Sequence, residues 1–118
     1  MNNGGGVGEG WACDPERLFQ EFVEAGEDWS DKEAAAQILD ETRKPLLAQL
    51  ATQSLEKSET AKERTALASL DYHSHVERMV AARREANRAR VRYAATQTKI
   101  ELIRTRETTR RAEIQLTR

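Results

Sequence analysis

The residues with the clearest capacity for chemistry are Asp71, His73 and His75, which could ligate a metal ion if they shared one face. On a helix, residues two apart point about 200° away from each other, so the three side chains cannot converge there. The sequence holds two histidines and one cysteine, Cys13. Ser74 beside a histidine is not a catalytic triad, because adjacent residues do not provide its geometry. We therefore expect no metal, no cofactor, no small-molecule substrate and no enzyme activity.

A dense group of basic residues predicts a binding function instead. Guanidinium groups suit phosphate oxygens, and Arg84, Arg88 and Arg92 recur at every fourth residue, which aligns them on one helix face. The candidate binding residues are Arg83, Arg84, Arg88, Arg90, Arg92 and Lys99. Nucleic-acid backbone and an acidic protein surface are both possible partners. A solvated face paired with acids of a neighbouring helix is a further alternative, with Glu41, Glu56, Glu59 and Glu63 as available partners.

Charge is distributed unevenly along the chain, although the net charge is −1. Residues 1–31 carry eight acids and one base, whereas residues 76–118 carry twelve bases and five acids. The acidic N-terminal arm could lie over the basic helix and screen it. The arm also holds four large aromatic residues, Trp11, Phe19, Phe22 and Trp29. They either pin the arm to the rest of the protein or form a patch that binds a partner.

Helical signals divide the chain into a Gly-rich tail, residues 1–13, and a single domain, residues 14–118. Asp14 and Pro15 predict the start of a short helix over about 15–25, which Gly26 ends in a left-handed cap. The capping box Ser30–Glu33 then predicts a helix over about 31–68, kinked near Pro45. A long basic helix follows over about 72–116.

These elements predict an all-α fold, namely a long antiparallel, coiled-coil-like helical hairpin with a short N-terminal helix. Alternating spacings of four and three from Tyr72 predict one seam of the last helix. Its ten members are Tyr72, Val76, Met79, Arg83, Ala86, Arg90, Tyr93, Gln97, Ile100 and Arg104. Four of them are polar. We therefore expect the helix to pack against two surfaces, one within the chain and one on a second subunit of a homo-oligomer.

Composition narrows the classes of protein further. No apolar run is long enough for a membrane span, and the N-terminus lacks the pattern of a signal peptide. A single cysteine fits a reducing compartment, so we expect a cytoplasmic protein without membrane contact. Aromatic residues make up 5% of the chain, too few to bury both sides of a helix of about 45 residues. That shortage also favours association with a partner.

Two stretches resemble small, uncharacterised helical proteins encoded in bacteriophage genomes: EFVEAGEDWSDKEAAAQILDETRKPLLAQL and HVERMVAARREANRARVRY. The resemblance implies a phage origin, an accessory role and location in the host-cell cytoplasm. It carries no functional residue.

The leading hypothesis is a non-catalytic accessory or assembly protein that oligomerises through its long helices. In this hypothesis the basic C-terminal helix binds nucleic-acid backbone or an acidic protein surface. One alternative is an inhibitor of a host enzyme that uses the acidic aromatic arm as a nucleic-acid mimic. Another is a purely structural coiled-coil subunit.

Overall fold

The computed structural model describes residues 14–117 and folds them into three α-helices. Helix α1 spans Pro15–Thr52, helix α2 spans Glu59–Leu67 and helix α3 spans Leu70–Leu116. No residue of the described stretch belongs to a strand. The predicted all-α class and the hairpin of two long helices with one short helix are therefore confirmed. The short helix, however, lies between the long helices rather than at the N-terminal end.

Helix α1 begins where the sequence predicts a start and continues where it predicts a stop. Asp14 Oδ1 accepts a hydrogen bond from the backbone N–H of Glu16 (3.0 Å), and Pro15 is the first helical residue. The prediction that Gly26 ends the helix is wrong, because Gly26 has no positive φ and the helix runs on for 38 residues in all. The predicted helix 15–25 is therefore the first part of α1.

The helix predicted over residues 31–68 is also wrong at both ends. Its expected start at residue 31 falls inside α1, and its expected end at residue 68 lies beyond Thr52, where α1 ends. Pro45 lies inside α1. Beyond Thr52, Ser54 Oγ accepts a hydrogen bond from the N–H of Glu56 (3.1 Å), and Ser58 Oγ caps α2 by accepting one from the N–H of Ala61 (3.1 Å). Such local side-chain bonds compete with helical ones and separate the two helices.

Helix α3 agrees with the predicted long basic helix to within two residues at its start. Ser69 Oγ accepts a hydrogen bond from the N–H of Tyr72 (3.2 Å), which satisfies one of the unpaired donors of the first turn. The helix has 47 residues and is therefore about 70 Å long at 1.5 Å per residue. None of the three described helices is apolar enough over a sufficient length to cross a membrane.

The buried side of α3 follows a seam that differs from the predicted one in every second member. Buried and half-buried side chains recur at alternating spacings of three and four: Tyr72, His75, Met79, Ala82, Ala86, Ala89, Tyr93, Thr96, Ile100 and Ile103. Arg90, Gln97 and Arg104 of the predicted seam are exposed instead. The predicted seam took the first step from Tyr72 as four residues, whereas the buried residues follow a first step of three. Every second member of the predicted seam therefore lies beside the buried face rather than on it. The true seam has fewer charged members, as a packed helix requires.

Small side chains dominate the described interior. The buried apolar residues are Leu18, Ala25, Ala36, Ala66, Ala86 and Ala89, and no large side chain of the described residues is fully buried. Alanines let two helix backbones approach closely. Each alanine removes little apolar surface from water, however, and the stabilising free energy is roughly 0.8 kcal/mol per buried carbon group. The hydrophobic stabilisation of these helices is therefore small.

Contacts divide the chain into two compact units. The first, here called the terminal unit, comprises residues 1–28 and 89–118. In its described part, the beginning of α1 packs against the second half of α3. The second, here called the middle unit, comprises residues 29–88, and it contains the rest of α1, all of α2 and the beginning of α3.

Candidate functional site

In the terminal unit, a close contact between two aromatic rings joins α1 to the basic helix. Phe22 of α1 stacks on Tyr93 of α3, with ring centroids 4.8 Å apart and an interplanar angle of 23°. Gly26 lies one turn further along α1, where a Cβ atom would come within 3.3 Å of Tyr93 Cε1. The glycine therefore leaves room for the ring rather than ending the helix.

Acids of α1 neutralise two of the six candidate basic residues within this unit. Arg92 Nη1 lies 3.2 Å from Asp28 Oδ2, and Lys99 Nζ lies 3.8 Å from Glu21 Oε2. The acidic segment thus lies along part of the basic helix, as the charge distribution suggested. Arg92, Lys99 and Glu21 are about half exposed or more and Asp28 is 28% exposed, so each pair contributes at most about 1 kcal/mol.

A shallow groove of about 340 Å³ lies beside these pairs, lined by Glu21, Glu24, Ala25, Arg92, Thr96 and Lys99. Its lining includes two carboxylates and two cations, and Lys99 is paired with Glu21 across it. Because the opposite charges compensate each other, the groove has no preference for an anionic or a cationic ligand.

In the middle unit, Arg83 forms the most extensive ion pair of the described residues. Its Nη1 donates to both carboxylate oxygens of Glu33 (2.9 Å each), and its Nη2 donates to Asp40 Oδ2 at 3.2 Å. The hydrogen bond with Glu33, followed by that with Asp40, raises the pKa of Arg83 above its ordinary value. Arg83 therefore joins α1 to α3, with both its Nη1 and its Nη2 groups bound to carboxylates of α1.

The acids that bind these cations are not the ones expected from sequence. None of Glu41, Glu56, Glu59 and Glu63 forms an ion pair with a candidate basic residue in the described part of the chain. Glu59 lies 3.7 Å from Lys62 instead, within α2. For Glu56, Glu59 and Glu63 the reason is the break after Thr52, which removes residues 53–67 from the long helix that was expected to run beside α3. Glu41 lies within α1 but is exposed, and it accepts a hydrogen bond from Gln37 Nε2 of the same helix (3.0 Å).

Three further basic positions complete the candidate set and its surroundings. Arg88 Nη1 lies 3.2 Å from Glu85 Oε2, one turn away on the same helix. Arg84 and Arg90 are exposed and have no carboxylate of the described residues within 4 Å. Of the six candidates, four therefore have a carboxylate partner and two do not.

The C-terminal section of α3, residues 104–117, is a basic surface that the candidate set omitted. Every side chain in it is exposed. It contains four arginines and two glutamates: Arg104, Arg106, Arg110, Arg111, Glu107 and Glu113. Arg110 Nη2 lies 3.3 Å from Glu107 Oε1, which leaves an excess of positive charge. The signal for this surface in the sequence is the set of four arginines between residues 104 and 111.

The described members of the predicted aromatic patch differ in exposure. Phe19 is 63% exposed, whereas Phe22 is half-buried against Tyr93. Trp29 is half-buried and belongs to the middle unit, while the two phenylalanines belong to the terminal unit. Trp11 lies outside the described residues. Phe22 therefore pins the beginning of α1, and Phe19 is the exposed member of the set.

The histidine cluster is separated by the helix, as its spacing predicts. His75 is buried in the seam, and the backbone carbonyl oxygen of Leu39 accepts a hydrogen bond from its Nε2 (2.8 Å). His73 is exposed. No group of three His, Cys, Asp or Glu residues that could hold a metal ion occurs between residues 14 and 117. His75 is a packing residue that also joins α3 to α1.

Comparison with known proteins gives no match, whether to protein-family models, to curated proteins or to solved structures.

Proposed function

We propose that this chain is a non-catalytic accessory or assembly protein that associates with itself and binds nucleic-acid backbone through α3. The observation that carries the proposal is the C-terminal section of α3, residues 104–117, whose four arginines are all exposed against two glutamates. Arginine forks match phosphate oxygens in geometry and charge, and neutralising phosphates releases counterions. The resemblance to phage proteins supports a phage origin and action in the host cytoplasm.

Self-association is supported by the large apolar side chains that stay exposed on α3. Val80, Val91 and Leu102 recur every eleven residues along α3, which is close to three full turns, and they are 55%, 62% and 52% exposed. The described interior consists mainly of alanines, so a second chain would add apolar burial that one chain lacks.

An acidic protein surface remains the second candidate partner, because it offers carboxylates to the same arginines. Two other roles have less support. Mimicry by the acidic arm requires available carboxylates, whereas Asp28 and Glu21 bind Arg92 and Lys99. A purely structural subunit agrees with the paired cations but gives no role to Arg104 and Arg111, which have no carboxylate of the described residues within 4 Å.

Light scattering with and without a short labelled duplex tests both parts of the proposal. We expect a mass above that of the 13.4 kDa chain alone, and a larger mass with duplex at low salt. Fluorescence anisotropy of the duplex should show affinity falling steeply from 50 to 200 mM salt. A chain that is monomeric at every concentration contradicts self-association, and absence of duplex binding at 50 mM salt contradicts the binding function.

A further inference from the structure

The basic residues that α3 contributes to the terminal unit fall into two groups when their intramolecular contacts are compared. Arg92, Lys99 and Arg110 each lie within 4 Å of a carboxylate, and Arg106 also takes part in an interaction within the chain. A second group, Arg90, Arg104 and Arg111, has no carboxylate of the described residues within that distance. Its guanidinium groups are therefore available to an external anion.

The three unpaired arginines form one row along α3. They are fourteen and seven residues apart, and each step of seven turns the helix almost twice, with a drift of about 20°. Gln97 occupies the remaining position of the row. At 1.5 Å per residue the row extends about 32 Å. Arg92 and Arg106 lie on the other side of the seam, and Arg110 continues the seam itself, so a ligand that follows the row lies away from Arg92 and Arg106.

A duplex fits this row better than a single strand. The row is about as long as one turn of B-form DNA, roughly 34 Å. Proteins that bind single strands generally stack the bases on aromatic side chains, whereas the two tyrosines of α3, Tyr72 and Tyr93, are half-buried in the seam. Arginine contacts with phosphate alone carry no base readout, so binding should be independent of sequence.

We propose that Arg90, Arg104 and Arg111 are the residues through which α3 contacts the phosphates of a nucleic-acid duplex in the terminal unit. The paired cations, in particular Arg92 and Arg110, hold acids of the chain and contribute little to binding. This assignment rests on the proposed function, because it names the residues that perform it. Of the six candidate binding residues predicted from the sequence, it retains only Arg90.

Two triple variants of equal charge test the assignment. The row variant carries Arg90→Gln, Arg104→Gln and Arg111→Gln. The control variant carries three changes in the same part of the same helix: Arg92→Gln, Arg106→Gln and Arg110→Gln. Both lose three positive charges, and far-UV circular dichroism shows whether each remains helical. Binding to a labelled 20-base-pair duplex is measured by anisotropy between 50 and 200 mM salt.

We expect the row variant to lose at least tenfold in affinity at 50 mM salt. The slope of log K against log salt should decrease in size by about 2.7, since each phosphate contact contributes about 0.9. The control should stay within about threefold of the wild type, with its slope changed by less than one. Glu101 is the acid three residues before Arg104, and Glu101→Gln should raise the affinity.

The possible failures are distinguishable. If the wild type does not bind the duplex, the proposed binding function itself is wrong. If the wild type binds and the two triple variants lose affinity equally, the function stands and the row is wrong, because binding then follows overall charge. If polyglutamate displaces the duplex at equal charge concentration, the row recognises acidic polymers in general and the assignment to a duplex is overturned.

Discussion

Replacing Gly26 by alanine tests whether α1 passes through this position as one helix against Tyr93. In the middle of a helix, glycine is less favourable than alanine by about 0.8–1.0 kcal/mol, so the change should stabilise α1 by that amount. The new Cβ would lie 3.3 Å from Tyr93 Cε1 and 3.5 Å from Cδ1. Ordinary carbon contacts are about 3.5–4.0 Å, so the ring must move by a few tenths of an ångström.

The ring is not free to move without cost, because Tyr93 stacks on Phe22 at 4.8 Å. Such a stack contributes about 0.5–1.5 kcal/mol, and a small shift loses part of it. We therefore expect Gly26→Ala to raise the free energy of unfolding by at most about 0.5 kcal/mol in the wild type. In a Tyr93→Ala background it should give the full 0.8–1.0 kcal/mol.

The four proteins are the wild type, Gly26→Ala, Tyr93→Ala and the double variant. Their unfolding in urea, followed by circular dichroism at one fixed protein concentration, gives the coupling free energy between the two sites. Ala35→Gly, at an exposed position of the same helix, measures the local cost of glycine. Destabilisation by Gly26→Ala in both backgrounds, by about 1–2 kcal/mol, would mean that Gly26 is left-handed and that α1 ends there. The full gain with Tyr93 present would refute the close contact.

Two further changes test the helices at other points, with urea denaturation as the measurement. Pro45→Ala should raise the free energy of unfolding by up to about 3 kcal/mol, because Pro45 is exposed inside α1 and costs about that much there. Ala48→Pro should lower it by a similar amount, and no change in either variant would contradict a continuous helix. Ala86→Leu should destabilise by about 1–3 kcal/mol, because Ala86 is 0% exposed in the seam. Ala95→Leu, at an exposed position of α3, should be nearly neutral, and equal effects of the two would refute the seam.

Local signals predicted the helices well where they agreed with packing and failed where they did not. Asp14 and Pro15 start α1 as expected, because no tertiary contact competes with that cap. Gly26 and the Ser30–Glu33 box look like a stop and a start. They lie, however, within a regular seam of buried and half-buried residues: Leu18, Phe22, Ala25, Trp29, Lys32, Ala36 and Leu39. A real break would have shifted the phase of this seam. The unbroken spacing was therefore the stronger signal.

The sequence was sufficient to predict a basic helix but not to predict which of its arginines stay unpaired. Runs of arginine identify α3 as a basic helix from the sequence alone. Which arginines are neutralised depends on acids that are distant in sequence: Glu33 is 50 residues from Arg83, and Asp28 is 64 residues from Arg92. Those partners follow from the register of α1 on α3 within each unit. An error in the bounds of α1 therefore leads directly to the wrong acids.

The internal ion pairs change what the charge split along the chain means. Exposed pairs of this kind, such as Asp28–Arg92 and Glu21–Lys99, contribute less than about 1 kcal/mol each, so they do little for overall stability. An alanine seam also permits sliding more easily than one of large interlocking side chains, and charge pairs at fixed positions penalise the wrong registers. Wherever α1 and α3 lie side by side, their opposite charges are therefore explained by fixing the register of the two helices. Residues 104–116 of α3 carry four arginines against two glutamates, and every side chain there is exposed. It is therefore the excess of positive charge in this section, and not the net +7 of the whole basic segment, on which we base the proposal of an external partner.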